Sequence, residues 1–177
     1  MERQNRIAFV LLGANLLILT LLGCVNSKLG QFGFFLYLPG LFFLPGALHL
    51  DHIRGMPVAF LTGLAMDQQI ESTFGFHAFA LAGLHALGTR WVRGSNFRKN
   101  LSPILFQLPA NILFFVLWLA WIKVFENNSL DWTFGRWSVD LVASTIAMIP
   151  LAIWLPSFAK SLLLLTNGLP EESEDLR

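Results

Sequence analysis

The sequence predicts an all-α fold, a polytopic membrane helix bundle of about six transmembrane helices with a short third helix. Hydrophobic residues make up 55% of the 177 residues and charged residues only 13%, about half the charged share of a soluble domain. A soluble domain of this length could not bury so much apolar surface, so we expect lipid to be its solvent. The apolar residues also form long uncharged runs, and about 20 such residues cross a bilayer core as a helix.

Five of the uncharged runs are long enough to span a bilayer: residues 7–25, 29–50, 72–89, 101–122 and 141–159. The second run contains Pro39-Gly40 and Pro45-Gly46. We expect these pairs to kink or interrupt the helix, because proline removes a backbone donor and clashes with the preceding turn.

Two sequence signals indicate where later helices start. Ser102-Pro103 resembles an N-cap followed by proline at the first helical position. Ser138 and Asp140 suit the start of the last helix, where an acidic side chain meets the positive end of the helix dipole.

The short third segment, residues 56–66, is uncharged for only eleven residues, which is about 17 Å of helix against a core of about 30 Å. Length alone favours a buried or re-entrant segment. The positive-inside rule favours a crossing, because a six-helix arrangement with both termini in the cytoplasm puts nine of the twelve basic residues inside. These nine are Arg3, Arg6, Arg54, Arg90, Arg93, Arg98, Lys99, Lys160 and Arg177.

The domain organisation that follows is a single transmembrane domain, residues 1–165, and an acidic cytoplasmic tail, residues 166–177. The tail is expected to be a solvated end, with an interaction tail as the alternative. Residues 21–24 resemble a lipoprotein signal, although Leu22 fits that pattern poorly and five more apolar segments follow, so an uncleaved first helix is preferred. The net charge of +1 provides no overall field to attract nucleic acid.

Asp67 is the ionisable residue that first requires an explanation, because a helix from Pro57 must use it to approach the far side of the bilayer. A carboxylate at membrane depth is costly unless it is paired or wetted. Three roles are open: a surface position where the bilayer thins, a structural pair or helix cap, and an ion or ligand site. We favour a cap on the helix start at Gly75–Ala78, because an anion is stabilised at a helix N-terminus.

No pattern in the chain indicates a catalytic residue, a cofactor or a metal site. His49 and His52 have a spacing that a metal accepts, but no cysteine or second carboxylate accompanies them. His77 and His85 lie eight residues apart, at different depths of one helix. A proton relay through His77 and Asp67 is a further alternative. The chain also has no nucleophile elbow, zinc-protease motif, phosphate-binding loop or carboxylate pair.

Small residues recur every four positions on the fourth helix, at Ala78, Ala82 and Ala86, with Gly75 and Gly83 nearby. This spacing lets membrane helices approach closely. It predicts packing inside the bundle or, alternatively, a stripe that faces a partner. The basic cluster of residues 90–99 sets the topology and could also hold anionic lipid or a cytoplasmic partner.

Two elements resemble the rod shape-determining protein MreD family. Gly63-Leu64-Ala65-Met66-Asp67 matches a Gly-Leu-x-x-Asp element at the end of a short helix. Gly75-Phe76-His77-Ala78 then matches a Gly-x-His-Ala element that opens the next helix, which ends in a basic loop. The match covers about residues 55–99, and Gln68-Gln69-Ile70-Glu71 departs from the more apolar continuation of that family.

The resemblance implies a fold of the kind shared with the substrate-binding subunits of energy-coupling-factor transporters. It implies a non-enzymatic scaffold of the cell-elongation machinery in the bacterial inner membrane. Expected partners are an MreC-type membrane protein, RodA, a class B penicillin-binding protein and, indirectly, MreB filaments. Candidate structural or partner-contact residues are Gly63, Asp67, Gly75, His77, Ala78, Ala82 and Ala86. The alternative function is the substrate-binding membrane subunit of an energy-coupling-factor-type transporter.

Overall fold

A computed structural model describes residues 2–70, 74–94, 104–125 and 134–166. Within them the regular structure is helical, with six α-helices: α1 (Glu2–Leu29), α2 (Phe43–His49), α3 (His52–Gln69), α4 (Phe76–Gly94), α5 (Ile104–Phe125) and α6 (Phe134–Leu165). Two single-turn 3-10 helices lie between α1 and α2, at Gly30–Phe32 and Pro39–Leu41. The prediction of an all-α fold is therefore confirmed for the part of the chain that is described.

Three helical stretches are long and apolar enough to cross a membrane: Glu2–Phe32, Ile104–Val124 and Gly135–Leu165. They correspond to α1, α5 and α6, and they agree with the expectation of a membrane protein. No more than 33% of the apolar window in each stretch is buried inside the bundle, and large apolar side chains such as Phe9 and Ile146 are exposed. Lipid is a suitable solvent for such faces, because it is as apolar as the side chains it meets.

The second apolar run is interrupted, as its proline-glycine pairs predict. No regular helix covers residues 34–38, and α2 keeps only seven residues, Phe43–His49. The residues around the break are nevertheless buried, including Tyr37 and Leu38. We call residues 34–42 the unwound segment.

Helix α3 is longer than its uncharged stretch, because polar residues extend it at both ends. Asp51 caps its start by accepting a hydrogen bond from the backbone N–H of Arg54, and Asp67 belongs to its last turn. Its 18 residues correspond to roughly 27 Å, so the length argument against a crossing is weaker than the sequence indicates.

The last helix, α6, starts earlier than the sequence predicts. It begins at Phe134, before the apolar run that starts at residue 141, so Asp140 lies inside the helix and not at its start. The predicted start signal at Ser102-Pro103 falls outside the described residues, as do the basic positions 98 and 99 and most of the acidic tail.

Side-chain contacts give the relative direction of the helices. α1 and α3 run parallel, with Asn5 bonded to Arg54 and Asn15 bonded to Thr62. α4 returns antiparallel to α3, since Gly63 faces Ala78 and Gly55 faces His85. One end of the bundle therefore contains Arg54 and is called the Arg54 end; the other contains Asp67 and is called the Asp67 end.

Helices α5 and α6 follow the same alternation. Phe106, near the start of α5, packs against Phe43 and Leu44, whereas Trp121 contacts Phe76 at the Asp67 end. α6 runs the other way: its Ser144 contacts Tyr37, and its Leu163 packs with Ile7 at the Arg54 end.

Candidate functional site

The candidate site is built around the carboxylate of Asp67, where α3 ends and α4 begins. Its Oδ1 accepts the backbone N–H of His77 at 2.9 Å. Its Oδ2 accepts the N–H of Gly75 at 2.9 Å and that of Ala78 at 3.4 Å. The first amides of a helix have no partner within the helix, so one buried carboxylate supplies the acceptors that the start of α4 requires. This is the contact that the sequence predicts for Asp67.

The turn into α4 also requires the glycine of the second element. Gly75 adopts a φ of +102°, a backbone conformation that residues with a Cβ rarely adopt. With this geometry the N–H of Gly75 donates to Asp67, and its carbonyl oxygen accepts a hydrogen bond from the N–H of Phe79. Gly75 and Asp67 are thus two parts of one turn.

A chain of hydrogen bonds extends from Asp67 into the bundle. His77 Nδ1 lies 2.7 Å from Asp67 Oδ1, and His77 Nε2 lies 2.7 Å from the Tyr37 hydroxyl. All three side chains are at most 2% exposed. A carboxylate only accepts, so His77 Nδ1 carries a proton and donates it to Asp67. The second ring nitrogen, Nε2, shares a hydrogen bond with the Tyr37 hydroxyl.

Tyr37 is fixed on its other sides by aromatic rings. Its ring stacks on Trp118 with a centroid separation of 5.0 Å, and Phe115 approaches edge-on at 5.6 Å. Such pairs add to the stabilisation that area burial alone gives. The polar chain from Asp67 therefore ends in a packed aromatic cluster between the unwound segment and α5.

Side chains from three helices satisfy the backbone of the unwound segment. Asn26 of α1 both accepts the N–H of Leu36 and donates to its carbonyl, each at 2.9 Å. From α6, Asp140 accepts the N–H of Phe35 and Ser144 accepts that of Tyr37, also at 2.9 Å.

α5 completes this support through Asn111, which donates to the Tyr37 carbonyl at 3.0 Å and accepts the Gly40 N–H at 3.1 Å. Non-helical backbone is tolerated at membrane depth only where protein or water satisfies it. Four N–H groups of the unwound segment, at Phe35, Leu36, Tyr37 and Gly40, are satisfied by side chains in this way.

Helices α3 and α4 are in backbone contact beside the site. A Cβ on Gly63 would overlap the backbone of His77 and Ala78, so this crossing requires glycine. A Cβ on Gly40 would likewise lie 2.6 Å from the carbonyl oxygen of Gln107. Small residues therefore mark internal helix contacts on both sides of Tyr37.

The structure brings together five of the seven residues that the sequence singles out: Gly63, Asp67, Gly75, His77 and Ala78. Ala82 lies one turn further along α4 and is buried, while Ala86 is half-buried and Gly83 is exposed. Whether any of them contacts a partner stays a prediction.

Sequence reasoning missed the contribution of Tyr37, Asn26 and Ser144, and it misplaced that of Asp140. Tyr37 carries a signal in retrospect, because it is the one tyrosine in a chain with 17 phenylalanines. A hydroxyl at that single position indicates a hydrogen-bond partner, since buried tyrosines usually have one.

The other histidines lie toward the Arg54 end. His52 bonds Thr89 at 3.3 Å, and its ring lies 6.5 Å from that of buried His85. His85 fits against Gly46 and Gly55, where a Cβ on Gly55 would overlap its ring. In the described part of the chain, no three histidine, cysteine or acidic side chains are grouped as metal ligands.

Comparisons with protein-family models, curated proteins and solved structures find no match to the chain. The class of protein therefore follows from the fold, as a helical bundle with three membrane-length apolar helices.

Proposed function

We propose that the chain crosses the bilayer six times, with both termini in the cytoplasm. The alternating directions of α1, the 34–50 stretch, α3, α4, α5 and α6 support this topology. Arg54 and the end of α4 with Arg90 lie at the same end as the N-terminus of α1. Basic residues concentrate on the cytoplasmic side of membrane proteins, so the Arg54 end is the cytoplasmic one.

Single-cysteine labelling tests this topology. In a Cys24→Ser background, Asn96→Cys is expected to be protected in intact spheroplasts from a membrane-impermeant maleimide, and Asn128→Cys to react with it. Labelling of position 96 but not of position 128 would overturn the proposed topology, with six crossings and both termini in the cytoplasm.

Within this class we propose a non-enzymatic scaffold of the MreD type in the bacterial inner membrane. It would link MreB filaments to peptidoglycan synthesis through an MreC-type protein, RodA and a class B penicillin-binding protein. The observation that carries the proposal is the α3–α4 unit: the two elements that resemble the family meet through Asp67, Gly75 and His77.

The distribution of polar groups supports a scaffold. The buried Thr62, Asp67 and His77 of the α3–α4 unit are paired inside the bundle. The outer faces of the unit carry exposed Leu61, Phe79 and Leu87. A protein that acts by lateral contact needs a rigid interior and an apolar exterior on which lipid and partner helices compete.

The test is affinity purification of the tagged full-length chain from native membranes, followed by identification of co-purifying proteins. We expect an MreC-type protein and the elongation synthases, together with rounding of rod-shaped cells when the chain is depleted. A tagged unrelated multi-pass protein at the same abundance is the control. Absence of both results would contradict the scaffold.

A second candidate is the substrate-binding subunit of an energy-coupling-factor-type transporter. The observation that favours it is a cleft of about 320 Å³ at the Asp67 end, between α1, the unwound segment and α3. Ligand sites usually have volumes of roughly 300–1,000 Å³. Recovery of a transporter ATPase module in the same purification would support this candidate in place of the scaffold.

A further inference from the structure

We propose that this cleft binds an uncharged amphiphile, with the apolar part of the ligand inside the bundle and its hydrogen-bonding group at the mouth. The site goes beyond the scaffold function and does not depend on it, since a scaffold and a transporter subunit could each have such a site. The binding measurements below use purified protein, so their outcome is separate from the recovery of partners.

The floor of the cleft is apolar and closed. Leu19 of α1 and Met66 of α3 are each 3% exposed, and Tyr37, Leu38 and Phe42 of the unwound segment complete the floor. An apolar group that leaves water for this cleft gains about 25 cal/mol per Å² of its own surface that becomes buried. The inner part of the ligand is therefore expected to be hydrocarbon.

The mouth of the cleft is polar, and the described side chains that line it are uncharged. Ser27 of α1 and Gln69 of α3 line it and are exposed. Asn26 also lines it, but its amide is already engaged by Leu36. Among the described residues, no side chain that lines the cleft is acidic or basic. An ionic headgroup would enter without a counter-charge from these side chains, which is unfavourable away from water.

One wall of the cleft is held rigidly in place. Phe35, Leu36 and Tyr37 form this wall, and their backbone is bonded to Asp140, Asn26, Ser144 and Asn111. A preformed wall lowers the ordering cost of binding.

The experiment compares three probes with the same apolar chain: octanamide, octanoate and octyltrimethylammonium. Each is titrated into the purified full-length chain in lipid nanodiscs, and the melting temperature is recorded. We expect octanamide to raise Tm by a few degrees at ten times its Kd. The two ions are expected to require at least a tenfold higher concentration for the same shift in Tm.

Repeating the titration with diacylglycerol in the nanodisc tests the source of the ligand. Loss of the octanamide response would assign the site to a neutral lipid, and an unchanged response would assign it to a free molecule.

Two pairs of variants place the binding in the cleft. Gly23→Leu adds bulk beside Gln69 at the mouth, and Gly13→Leu adds the same bulk on the same helix where nothing lies within 4 Å. Only Gly23→Leu is expected to abolish the shift in Tm.

Gln69→Leu should weaken octanamide binding about tenfold, which corresponds to the loss of one hydrogen bond of roughly 1.4 kcal/mol. Gln68 lies outside the cleft lining, so Gln68→Leu should leave octanamide binding unchanged.

Three results would overturn the proposal. One is that none of the probes shifts Tm. Another is that the charged probes act as well as the amide. The third is that Gly23→Leu and Gly13→Leu respond alike, which would mean that the probes act on the lipid and not on the cleft.

Discussion

The α3–α4 turn and the unwound segment both leave backbone groups without helical partners inside the bundle, but they satisfy those groups in different ways. In the turn, one carboxylate serves Gly75, His77 and Ala78, all within eleven residues of Asp67. In the unwound segment, each side chain serves one or two groups. Several partners are distant in sequence, as Asp140 is 105 residues from Phe35 and Ser144 is 107 residues from Tyr37.

The difference has a consequence for stability. When several donors converge on one group, its removal leaves all of them unsatisfied at once, and each buried orphan costs about 1–3 kcal/mol. When the support is distributed, each removal costs little and the remaining side chains keep the backbone in place. The turn should therefore be sensitive to a single substitution, and the unwound segment should fail only after several.

The largest expected effect comes from Asp67→Leu, because it leaves the amides of Gly75 and His77 and the His77 ring without their acceptor. We expect a loss of more than about 3 kcal/mol, with strongly reduced protein in the membrane. Membrane abundance and Tm in detergent measure it, with Gln68→Leu as the matched control.

Asp67→Asn separates the role of the Asp67 charge from that of its acceptor oxygens. Both carboxylate oxygens accept hydrogen bonds, so an amide keeps one acceptor and turns its NH₂ toward a donor. We expect an intermediate loss of abundance. Full abundance together with loss of cell-shape complementation would mean that the charge itself is functional, and would return Asp67 to the ion or ligand class.

The next effect is that of Gly63→Ala, which forces α3 and α4 apart because its Cβ would overlap the backbone of Ala78. Overpacking of this kind costs about 1–3 kcal/mol. Gly83→Ala on α4 is the control: its Cβ meets open space, and replacing a helical glycine favours the helix. Equal Tm values for the two variants would show that the α3–α4 contact is looser than described.

Tyr37→Phe should have a smaller effect. It removes the hydroxyl from His77 Nε2 but leaves the ring against Trp118. One buried unsatisfied nitrogen, with the Tyr37 ring still packed, is expected to cost about 1–2 kcal/mol, in the lower part of the range for such groups. A double-mutant cycle with His77→Leu measures the coupling free energy between the Tyr37 hydroxyl and the His77 imidazole. Additive losses of stability would mean that these two groups do not interact.

The smallest single effect is expected in the unwound segment, from Ser144→Ala. Only the Tyr37 N–H loses its partner, at a cost of about 1 kcal/mol. Thr145→Val is the control, since that hydroxyl bonds the Leu141 carbonyl of its own helix. Adding Asn111→Ala should cost more than the sum of the single variants, because both side chains hold Tyr37. Strict additivity would contradict distributed support.

The same contrast explains how much of the site could be predicted from the sequence. Asp67 and Gly75 could be paired because few residues separate them and both lie at helix ends, so local geometry restricts their distance. For Asp140 the sequence predicts a helix start, because acidic residues favour that position. Its actual partner, the Phe35 N–H, depends on how α6 packs against the unwound segment.

By itself the sequence determined the apolar runs, the interruption by Pro39-Gly40 and Pro45-Gly46, and the local turn at Asp67 and Gly75, because each follows from hydropathy or from bonds between near neighbours. Only the tertiary structure decided that Tyr37 completes the chain from Asp67 and that Asn26, Asn111, Asp140 and Ser144 hold the unwound segment. A non-helical stretch has no regular hydropathy pattern from which its hydrogen-bond partners can be predicted. Its hydrogen bonds are fixed by whichever helices pack around it.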